Sequence, residues 1–335
     1  MRKISFVIPA FNEENYIGSC IESIIDACIH AQYSYDDYEI LVIDGCSTDQ
    51  TIDIATKYQG ASPVRLFINE RKILAAGWNM GIANARYEYI CAMNAHATLS
   101  LNFLDQINRK FLEYCNNKIG AIGPVLNTKY LYDDLNGKAI AFMLSSKFGV
   151  GNSKFRTGTN SDQFVDTLHC CVYRKEAICS IAPFNENLIR SQDIDFNKRL
   201  ISNGYKLLLI NSARANYFSK IQPEKFSSYA ISNGYWVTFP LKYSVVIGSF
   251  RHYIPLAFFC YVMFLPFTVI MTTSPLVFFP LLAYLILIGY NSFYNNQFNL
   301  NLRIRVVKYY FIQHFFYGLG SMLGLVQVMR GKLCQ

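Results

Sequence analysis

Three short polar segments of the chain carry residues whose types and spacing could perform chemistry. Asn94 and His96 lie one residue apart, directly after an apolar run. Asp44 ends a second apolar run, and Asp193 opens a third, polar segment. An imidazole and an amide can hold a divalent cation, and an aspartate can accept a proton from a hydroxyl group. If these residues have no chemical role, the first segment is a polar turn, and Asp193 is a carboxylate that the helix dipole favours in the first turn of a helix.

Alternating strands and helices must position these residues. Apolar stretches predict strands at residues 4–9, 39–43, 64–68 and 89–93. Helical spacing predicts helices over 17–28 and 74–86, one capped by Ser47, one that starts at Ser100, and one that runs from Ser191 to Gly204. Strands that alternate with helices indicate an α/β fold with a mainly parallel sheet between helices. Because polar residues follow three of the strands, we expect them to meet in one crevice at the carboxyl ends of the strands.

Several function classes are disfavoured by what the sequence lacks. It contains no glycine-rich GxGxxG or P-loop segment, which argues against dehydrogenases and P-loop ATPases. The net charge of +8 is not gathered into a dense basic stripe, so it fits attraction to anionic lipid better than nucleic-acid binding. The ten cysteines form no CxxC pair, and we expect free thiols in a packed core.

The last third of the chain is apolar enough to enter a membrane. Hydrophobic residues make up 52% of the sequence and charged residues 16%, and residues 254–273, 275–290 and 309–329 contain no Asp, Glu, Lys or Arg. About 20 apolar residues in a helix can cross a hydrocarbon core of about 30 Å. The first two stretches predict a helical hairpin with its turn at 272–275. The third could cross the membrane or lie along its surface.

Basic residues on either side of the predicted hairpin suggest its orientation. They are Lys242 and Arg251 before it, and Arg303, Arg305 and Lys308 after it. Since cytoplasmic loops are rich in Lys and Arg, we expect the head of the protein to face the cytoplasm at the inner or plasma membrane. Arg330 and Lys332 favour a cytoplasmic C-terminus as well, which conflicts with three crossings. No secretory signal peptide is expected, because Asn12-Glu13-Glu14 ends the first apolar run early.

The composition predicts three parts. Residues 1–222 form a catalytic domain, 223–252 an amphipathic or interfacial connection, and 253–335 a membrane region with two or three hydrophobic helices. Within the first part, the pattern is irregular from about residue 125 to 165. We expect a substrate-facing or mobile loop region there.

Six segments occur in the order typical of one enzyme family. They are 7-VIPAFNEENYI-17, 40-ILVIDGCSTDQT-51, 75-AAGWNMGIANA-85, 90-ICAMNAHA-97, 173-YRKE-176 with Phe184 and Glu186, and 192-QDIDFNKR-199. In these segments the chain resembles glycosyltransferases of family 2, and in particular the membrane-associated, succinoglycan-type glucosyltransferases. The resemblance covers residues 1 to about 220. It implies the GT-A nucleotide-diphospho-sugar transferase fold and transfer of a sugar from a nucleotide-diphospho-sugar.

The resemblance also implies residue roles on the donor side. Pro9, Phe11 and Glu13 would contact the nucleoside, with Phe11 stacked on the base. Asp44 would accept a hydrogen bond from the base or the ribose. The Asn94–His96 segment stands where the family has Asp-x-Asp, so Asn94 and His96 would hold the ribose and the diphosphate-bound metal.

On the other side of the reacting bond, the resemblance makes Asp193 the general base. Gln192, in place of the usual glutamate, and Asp195 would contact the substrate. His169 would line the sugar and acceptor pocket, and Lys72 would contact the phosphates. The alternatives are a histidine packed in the core for His169 and a solvated surface lysine for Lys72.

Two departures from the family pattern concern the metal. Asn94 and Gln192 stand where the commoner pattern has carboxylates, so the site has lost two negative charges. Imidazole suits Mn²⁺, whereas Mg²⁺ prefers oxygen ligands. We therefore expect a weak or Mn²⁺-preferring dependence on a divalent metal, with His96 and Asn94 as the protein ligands.

The expected activity is that of an inverting hexosyltransferase in surface polysaccharide biosynthesis. A UDP-sugar would be the donor and a lipid-linked saccharide at the membrane the acceptor, and no nucleic acid would bind. An alternative is a non-catalytic pseudo-glycosyltransferase that acts as a membrane scaffold, which Asn94 would suit. A nucleotidyltransferase is a third alternative, but its glycine-rich, basic loop after the first strand is replaced here by 9-PAFNEEN-15.

Overall fold

The structure is a computed structural model that describes residues 3–60, 62–130, 134–243, 245, 248–272, 274–293 and 298–333, with side chains up to residue 330. It divides the chain into two compact units. The first unit comprises Met1–Asn127 and Lys154–Phe218, and the second comprises Thr128–Ser153 and Ser219–Gln335. Sequence patterns predicted a first boundary at residue 222. They assigned 128–153 to the catalytic domain, whereas the structure places this segment in the second unit.

One mixed sheet forms the centre of the first unit. Its strands are β1 Ile4–Ala10, β2 Tyr38–Asp44, β3 Val64–Ile68, β4 Tyr89–Ala92, β5 Ala97–Leu99, β6 Ile119–Tyr130, β7 Gln163–Phe164, β8 Val172–Arg174 and β9 Lys206–Ser219. Their order is β3-β2-β1-β4-β8-β6-β9-β5, with β7 also paired to β9. The pairs among β1 to β4 are parallel, and the pairs that β8 makes with β4 and β6 are antiparallel. The predicted α/β fold is confirmed, but only four of the nine strands, β1 to β4, form a parallel part of the sheet.

Helices follow most of the strands. They are α1 Ile17–His30, α2 Thr51–Thr56, α3 Leu74–Asn84, α4 Phe103–Glu113, α5 Leu135–Ser145, α6 Lys147–Val150, α7 Lys154–Thr157, α8 Lys175–Cys179, α9 Gln192–Ser202, α10 Phe226–Thr238, α11 Ile254–Met271, α12 Phe279–Phe293 and α13 Leu300–Leu333. Short 3-10 helices cover Pro223–Lys225, Phe239–Tyr243, Phe250–His252 and Pro275–Phe278.

The core of the first unit explains its local structure. Every residue of β2 is buried, as are all but one of β1, which fits a sheet covered on both faces. Helix α3 packs closely on β1 at Gly81, which has no side chain. A Cβ added there would lie only 2.1 Å from Val7 Cγ1. The thiols of Cys20, Cys91 and Cys171 are free and buried in this core.

Two predicted helix starts and one predicted loop region differ from the structure for local reasons. Helix α2 begins after Gln50 rather than after Ser47, because the Ser47 side chain is bonded to Asp44 instead of capping the helix. Helix α4 begins only at Phe103, and the short strand β5 precedes it. The irregular stretch from 125 to 165 contains the end of β6 and helices α5 to α7. In the part of 125–165 that the structure describes, the chain is therefore not one long loop.

The second unit is built on backbone contact between α10 and α13. A Cβ added to Gly234 would lie 1.9 Å from the Tyr317 carbonyl oxygen. The Ser321 hydroxyl donates to the Gly234 carbonyl oxygen at 3.2 Å, and the Thr238 hydroxyl donates to the Ser321 carbonyl oxygen at 2.8 Å. Buried tyrosines of α13, Tyr309 among them, form an apolar cluster with α5. This cluster explains why 128–153 belongs to the second unit.

Two helices of the second unit, among the described residues, are long and apolar enough to cross a membrane. They are Phe250–Met271 and Pro275–Phe293. In the most apolar 18-residue segment of each, only 6% and 11% of the segment is buried. Helix α13, which contains the third apolar stretch, does not meet the same criteria. Its buried face packs against α10 and α5.

Candidate active site

The topology of the sheet brings the polar segments to one edge. Strands β1, β2 and β4 are parallel neighbours, so the residues that follow them lie side by side. Strand β8 runs antiparallel to β4, and the Ala92 amide donates to the Cys171 carbonyl oxygen at 2.9 Å. The start of β8 therefore lies beside the end of β4. His169, just before β8, reaches the same edge as Asn94.

The loops after β1 and β2 are joined through Asp44. The Ser47 hydroxyl donates to Asp44 Oδ1 at 2.5 Å, and the Ser47 amide donates to Oδ2 at 2.8 Å. Ser47 Oγ in turn accepts from the Asn12 amide at 2.9 Å, and Asn12 Oδ1 accepts from the Thr48 amide at 2.9 Å. Asp44 is fully buried. The structure thus shows Asp44 holding the two loops, and its contact with a nucleoside stays a prediction.

Asp49 is a site-shaping residue that sequence reasoning missed. Its Oδ1 accepts from the Thr51 hydroxyl at 2.5 Å, and its Oδ2 accepts from the Glu14 amide at 3.1 Å. Thr51 Oγ1 also accepts from the Glu13 amide at 2.7 Å, which fixes the backbone of Glu13. Burial would raise the pKa of Asp49, but the hydrogen bonds from Thr51 and backbone amides lower it overall. The available signal was the Asp-Gln-Thr spacing at 49–51, which is typical of a polar turn before a helix.

Phe11 and Pro9, both predicted to contact the nucleoside, have different surroundings. The Phe11 side chain is 51% exposed although it is large and apolar. It lies next to Gly45, where an added Cβ would be 3.6 Å from the Phe11 ring. An exposed aromatic ring can stack on a nucleic-acid base. Pro9 packs instead against Gly77 of α3, where an added Cβ would be 3.2 Å from Pro9 Cβ.

His96 is held by Glu13. His96 Nδ1 lies 3.0 Å from Glu13 Oε1, and Glu13 is buried. The rings of Tyr16 and Tyr217 contact the imidazole edge-on, with centroids 6.3 and 5.0 Å away. With Nδ1 bonded to a carboxylate, Nε2 is the nitrogen left for a ligand.

This arrangement fits a metal-binding histidine. Such histidines usually give their other ring nitrogen to a carboxylate, which fixes the ring orientation. Within the described part of the chain, no group of three or more His, Cys, Asp or Glu residues could hold a metal by itself. His96 Nε2 and the Asn94 amide could therefore supply only part of a coordination sphere. A bound diphosphate would have to complete it.

Asp193 pairs with His169. His169 Nε2 lies 2.8 Å from Asp193 Oδ2, and the Phe155 ring lies against the imidazole with centroids 4.9 Å apart. The Asp193 side chain is 30% exposed, so solvent and ligands can reach it. Burial would raise the pKa of Asp193, but the adjacent His169 imidazole lowers it below its usual range. A carboxylate with these properties is charged at neutral pH and can accept a proton.

Asp195 has a different environment although it is only two residues away. It is buried, and its Oδ2 accepts from Arg199 Nη2 at 2.9 Å and from Nε at 3.0 Å. Arg199 Nη2 also donates to the Pro183 carbonyl oxygen at 3.0 Å. The pair thus attaches α9 to the preceding loop, which gives Asp195 a structural role. Its predicted contact with the substrate has no support in these contacts.

Gln192 and Lys72 complete the set of predicted residues. Gln192 is buried, and its Oε1 has no hydrogen-bond partner among the described residues. Buried polar atoms are nearly always bonded, so this oxygen is available to a ligand at the start of α9. Lys72 is exposed in the turn after β3, with a φ of 57°. That exposure fits both a phosphate contact and a solvated lysine.

Left-handed backbone conformations concentrate at this edge. The described non-glycine residues with positive φ are Asn12, Gln32, Cys46, Lys72, Cys170 and Ser191. All but Gln32 either belong to the predicted site or lie within two residues of it. Such conformations cost about 1–3 kcal/mol each and gather at functional sites. The strain therefore identifies the same edge as the side chains do.

Comparison with known proteins agrees with this site. The sequence model described as "Glycosyl transferase family 2" matches residues 5–179, which is more than half of the chain. The chain belongs to glycosyltransferase family 2. The predicted family resemblance is thereby confirmed.

Two curated relatives of this family 2 glycosyltransferase are similar over most of their length. One is the dolichyl N-acetyl-alpha-D-glucosaminyl phosphate 3-beta-D-2,3-diacetamido-2,3-dideoxy-beta-D-glucuronosyltransferase of Methanococcus voltae, 28% identical over 241 residues, which are 70% of this chain and 72% of the relative. The other is the succinoglycan biosynthesis protein ExoA of Rhizobium meliloti, 27% identical over 256 residues, 75% of this chain and 74% of the relative.

A solved structure shares the fold of this family 2 glycosyltransferase. It is the mannosyltransferase PcManGT from Pyrobaculum calidifontis in complex with GDP-Man and Mn²⁺, with a TM-score of 0.65 and 14% identity. The alignment covers 97% of this chain and 87% of that one. The likeness confirms the GT-A fold.

Proposed function

We propose that this family 2 glycosyltransferase is an inverting hexosyltransferase. It moves a sugar from a nucleotide-diphospho-sugar, with a UDP-sugar as the leading donor, to a lipid-linked saccharide. The observation that carries the proposal is the partly exposed Asp193 carboxylate, held by His169 at the edge of the sheet where Phe11 and His96 also lie. A charged and partly exposed carboxylate is what a general base requires.

The proposed reaction needs one general base and no nucleophilic residue of the enzyme. Asp193 accepts the proton of the acceptor hydroxyl as the acceptor oxygen bonds to the anomeric carbon. The bond from that carbon to the diphosphate oxygen breaks, and its electron pair leaves with the nucleoside diphosphate. Because the acceptor attacks opposite the leaving group, a single displacement inverts the anomeric centre.

Residues after β1, β2 and β4 bind the donor in this proposal. Phe11 stacks on the base, and Asp44 and Glu13 hold the loops that surround the nucleoside. His96 Nε2 and Asn94 would hold a divalent metal at the diphosphate, with Glu13 fixing the His96 ring. When bound, the metal would stabilise the negative charge on the leaving group. Imidazole ligation favours Mn²⁺ over Mg²⁺ here.

The second unit supports a membrane-bound acceptor. Two apolar helices with little burial follow one another along the chain. As a transmembrane hairpin they would return the chain to its starting side, because two is an even number of crossings. The head and the residues after the hairpin then share one side. Basic residues flank the hairpin, so we place that side in the cytoplasm, at the inner or plasma membrane. In this proposal α13 does not cross the membrane, so the C-terminus would lie on the cytoplasmic side as well. The name of the Methanococcus voltae relative includes a dolichyl-linked sugar phosphate, which suits a lipid-linked acceptor.

A donor screen tests the proposal. The full chain, in membranes or detergent, is incubated with Mn²⁺, a mixture of lipid-linked saccharides and one of several UDP-, GDP- or dTDP-sugars. We expect release of the nucleoside diphosphate with one donor class and a product with inverted anomeric configuration. Retention of configuration would contradict the single displacement. Absence of release with every donor, from a folded chain that binds nucleotide, would favour the scaffold alternative.

A further inference from the structure

We propose that His169 is a positioning residue for the base Asp193, and that the two side chains work as a dyad. In this dyad His169 holds Oδ2 of the carboxylate, and Oδ1 takes the acceptor proton. The inference rests on the proposed function, because it gives Asp193 a substrate. It replaces the predicted role of His169 as a lining residue of the sugar pocket.

The geometry of the pair supports a directed contact. The 2.8 Å distance between His169 Nε2 and Asp193 Oδ2 is that of a charge-assisted hydrogen bond. The Phe155 ring lies at an interplanar angle of 33° to the imidazole and limits its rotation. The carboxylate is the more exposed member, with 30% against 22% for His169. Asp193 is therefore the member of the pair that offers more surface to a substrate.

The backbone on both sides of the dyad is strained. Cys170, which follows His169, has a φ of 49°, and Ser191, two residues before Asp193, has a φ of 62°. Neither residue is a glycine, so both conformations are unfavourable. A packed core alone would not require two such residues on segments whose side chains meet at one hydrogen bond. The strain fits a pair that must be held in one geometry.

The charges around the pair leave His169 as the main electrostatic partner of Asp193. Cys171 and Tyr173 also interact with the carboxylate, but burial raises the pKa of Cys171 to about 12 and that of Tyr173 well above its usual value. Both are therefore neutral at physiological pH. The Arg156 guanidinium lies 5.5 Å from the centroid of the Phe155 ring, which packs on His169, and 4.9 Å from that of Tyr217.

The proton step requires only the dyad and the substrates. The acceptor O–H bond breaks as its oxygen bonds to the anomeric carbon, and the proton goes to Asp193 Oδ1. The electron pair of the broken sugar–oxygen bond leaves with the nucleoside diphosphate. The hydrogen bond from His169 Nε2 to Oδ2 stays in place, so a fixed oxygen faces the acceptor at the moment of transfer.

The test compares His169→Ala and His169→Gln with the wild-type full chain. We expect His169→Ala to lower kcat about 10- to 100-fold, because a misaligned base loses part of its catalytic effect, and to leave the KM for the donor within about twofold. Since His169 lowers the pKa of Asp193 and burial raises it, the acidic limb of the kcat profile should move to higher pH. His169→Gln keeps a hydrogen-bond donor without a charge, so it should restore part of kcat but not the acidic limb.

His30→Ala is the matched control. His30 Nε2 lies 3.5 Å from Asp105 Oδ2 in an exposed pair outside the site. We expect His30→Ala to change neither kcat nor the pH profile. A raised donor KM with unchanged kcat in His169→Ala would overturn the dyad and restore the pocket-lining role. Wild-type kcat and pH profile in both His169 variants would also overturn it.

A measurement without substrate separates the dyad from the proposed function. Carboxyl ¹³C shifts of aspartate-labelled protein follow the Asp193 titration, which is assigned with Asp193→Asn. We expect a higher titration midpoint in His169→Ala than in the wild type. An unchanged midpoint would overturn the dyad even in an active enzyme. A raised midpoint in a chain that transfers no sugar would support the dyad and contradict the proposed function.

Discussion

The site contains two histidine–carboxylate pairs that differ in which member faces the ligand. In the first pair, His96 and Glu13 lie 3.0 Å apart, and the side chains are 18% and 8% exposed. In the second pair, His169 and Asp193 lie 2.8 Å apart, and the side chains are 22% and 30% exposed. The imidazole is the accessible member of the first pair and the carboxylate that of the second. The same two chemical groups, an imidazole and a carboxylate, can therefore bind a metal in one place and accept a proton in the other.

The supporting elements explain the difference. Glu13 is attached by its backbone amide to Thr51, the first residue of α2, and His96 lies in the turn between β4 and β5. In the second pair, His169 belongs to the segment before β8, whereas Asp193 lies in the first turn of α9. In each pair the residue behind is fixed by the sheet edge or its loops. The more exposed residue is the one proposed to meet a ligand, which is the metal for His96 and the acceptor for Asp193.

The largest effect is expected from Asp193→Asn. This change removes the base and keeps the shape, so transfer should fall by about 10³-fold or more while nucleotide binding stays near that of the wild type. Initial rates of nucleoside diphosphate release and a nucleotide-binding titration measure the two quantities. Substantial residual turnover would mean that Asp193 is not the base.

The next largest effect is expected on the metal dependence of His96→Ala, with a smaller effect in Glu13→Gln. His96→Ala should raise the Mn²⁺ concentration for half-maximal activity by about 10- to 100-fold or abolish activity, and Glu13→Gln should raise it less, because it keeps a hydrogen-bonding partner for the ring. Metal titrations that start from EDTA-treated protein measure this concentration for both variants. Equal, metal-independent losses in the two variants would show that the first pair is only structural.

A smaller gain is expected from Asn94→Asp. The new carboxylate adds a negative oxygen ligand, so it should tighten metal binding several-fold and shift the preference towards Mg²⁺. Parallel titrations with Mn²⁺ and Mg²⁺ give the ratio of the two half-maximal concentrations. If that ratio does not move, Asn94 does not contact the metal.

The smallest effect on turnover should come from Asp195→Asn, although it lies two residues from the base. Its buried contact with Arg199 would weaken, and we expect a loss of about 1–3 kcal/mol in the free energy of unfolding. Turnover of the folded fraction should stay near that of the wild type. Thermal unfolding and kcat per folded molecule distinguish these effects. A loss of turnover without a loss of stability would assign Asp195 to the reaction.

Local sequence patterns were sufficient for much of this protein. The strands β1 to β4 were predicted to within one residue at each end, because continuous apolar runs between polar segments specify buried strands. The order of the motifs indicated the family, and the family model confirms it. Charge-free stretches predicted the two helices that could cross a membrane.

Only the tertiary structure decided how distant residues meet. His169 and Asp193 are 24 positions apart, and their contact depends on antiparallel pairing of β8 with β4, which no local periodicity encodes. Asp193 and Asp195 look alike in sequence, yet one meets an imidazole and the other Arg199. The same holds for 128–153, whose apolar residues find their partners on α13, more than 150 positions later. Local sequence sets backbone preference and apolar periodicity. Burial, charge partners and the exposed member of a pair depend on which elements pack together.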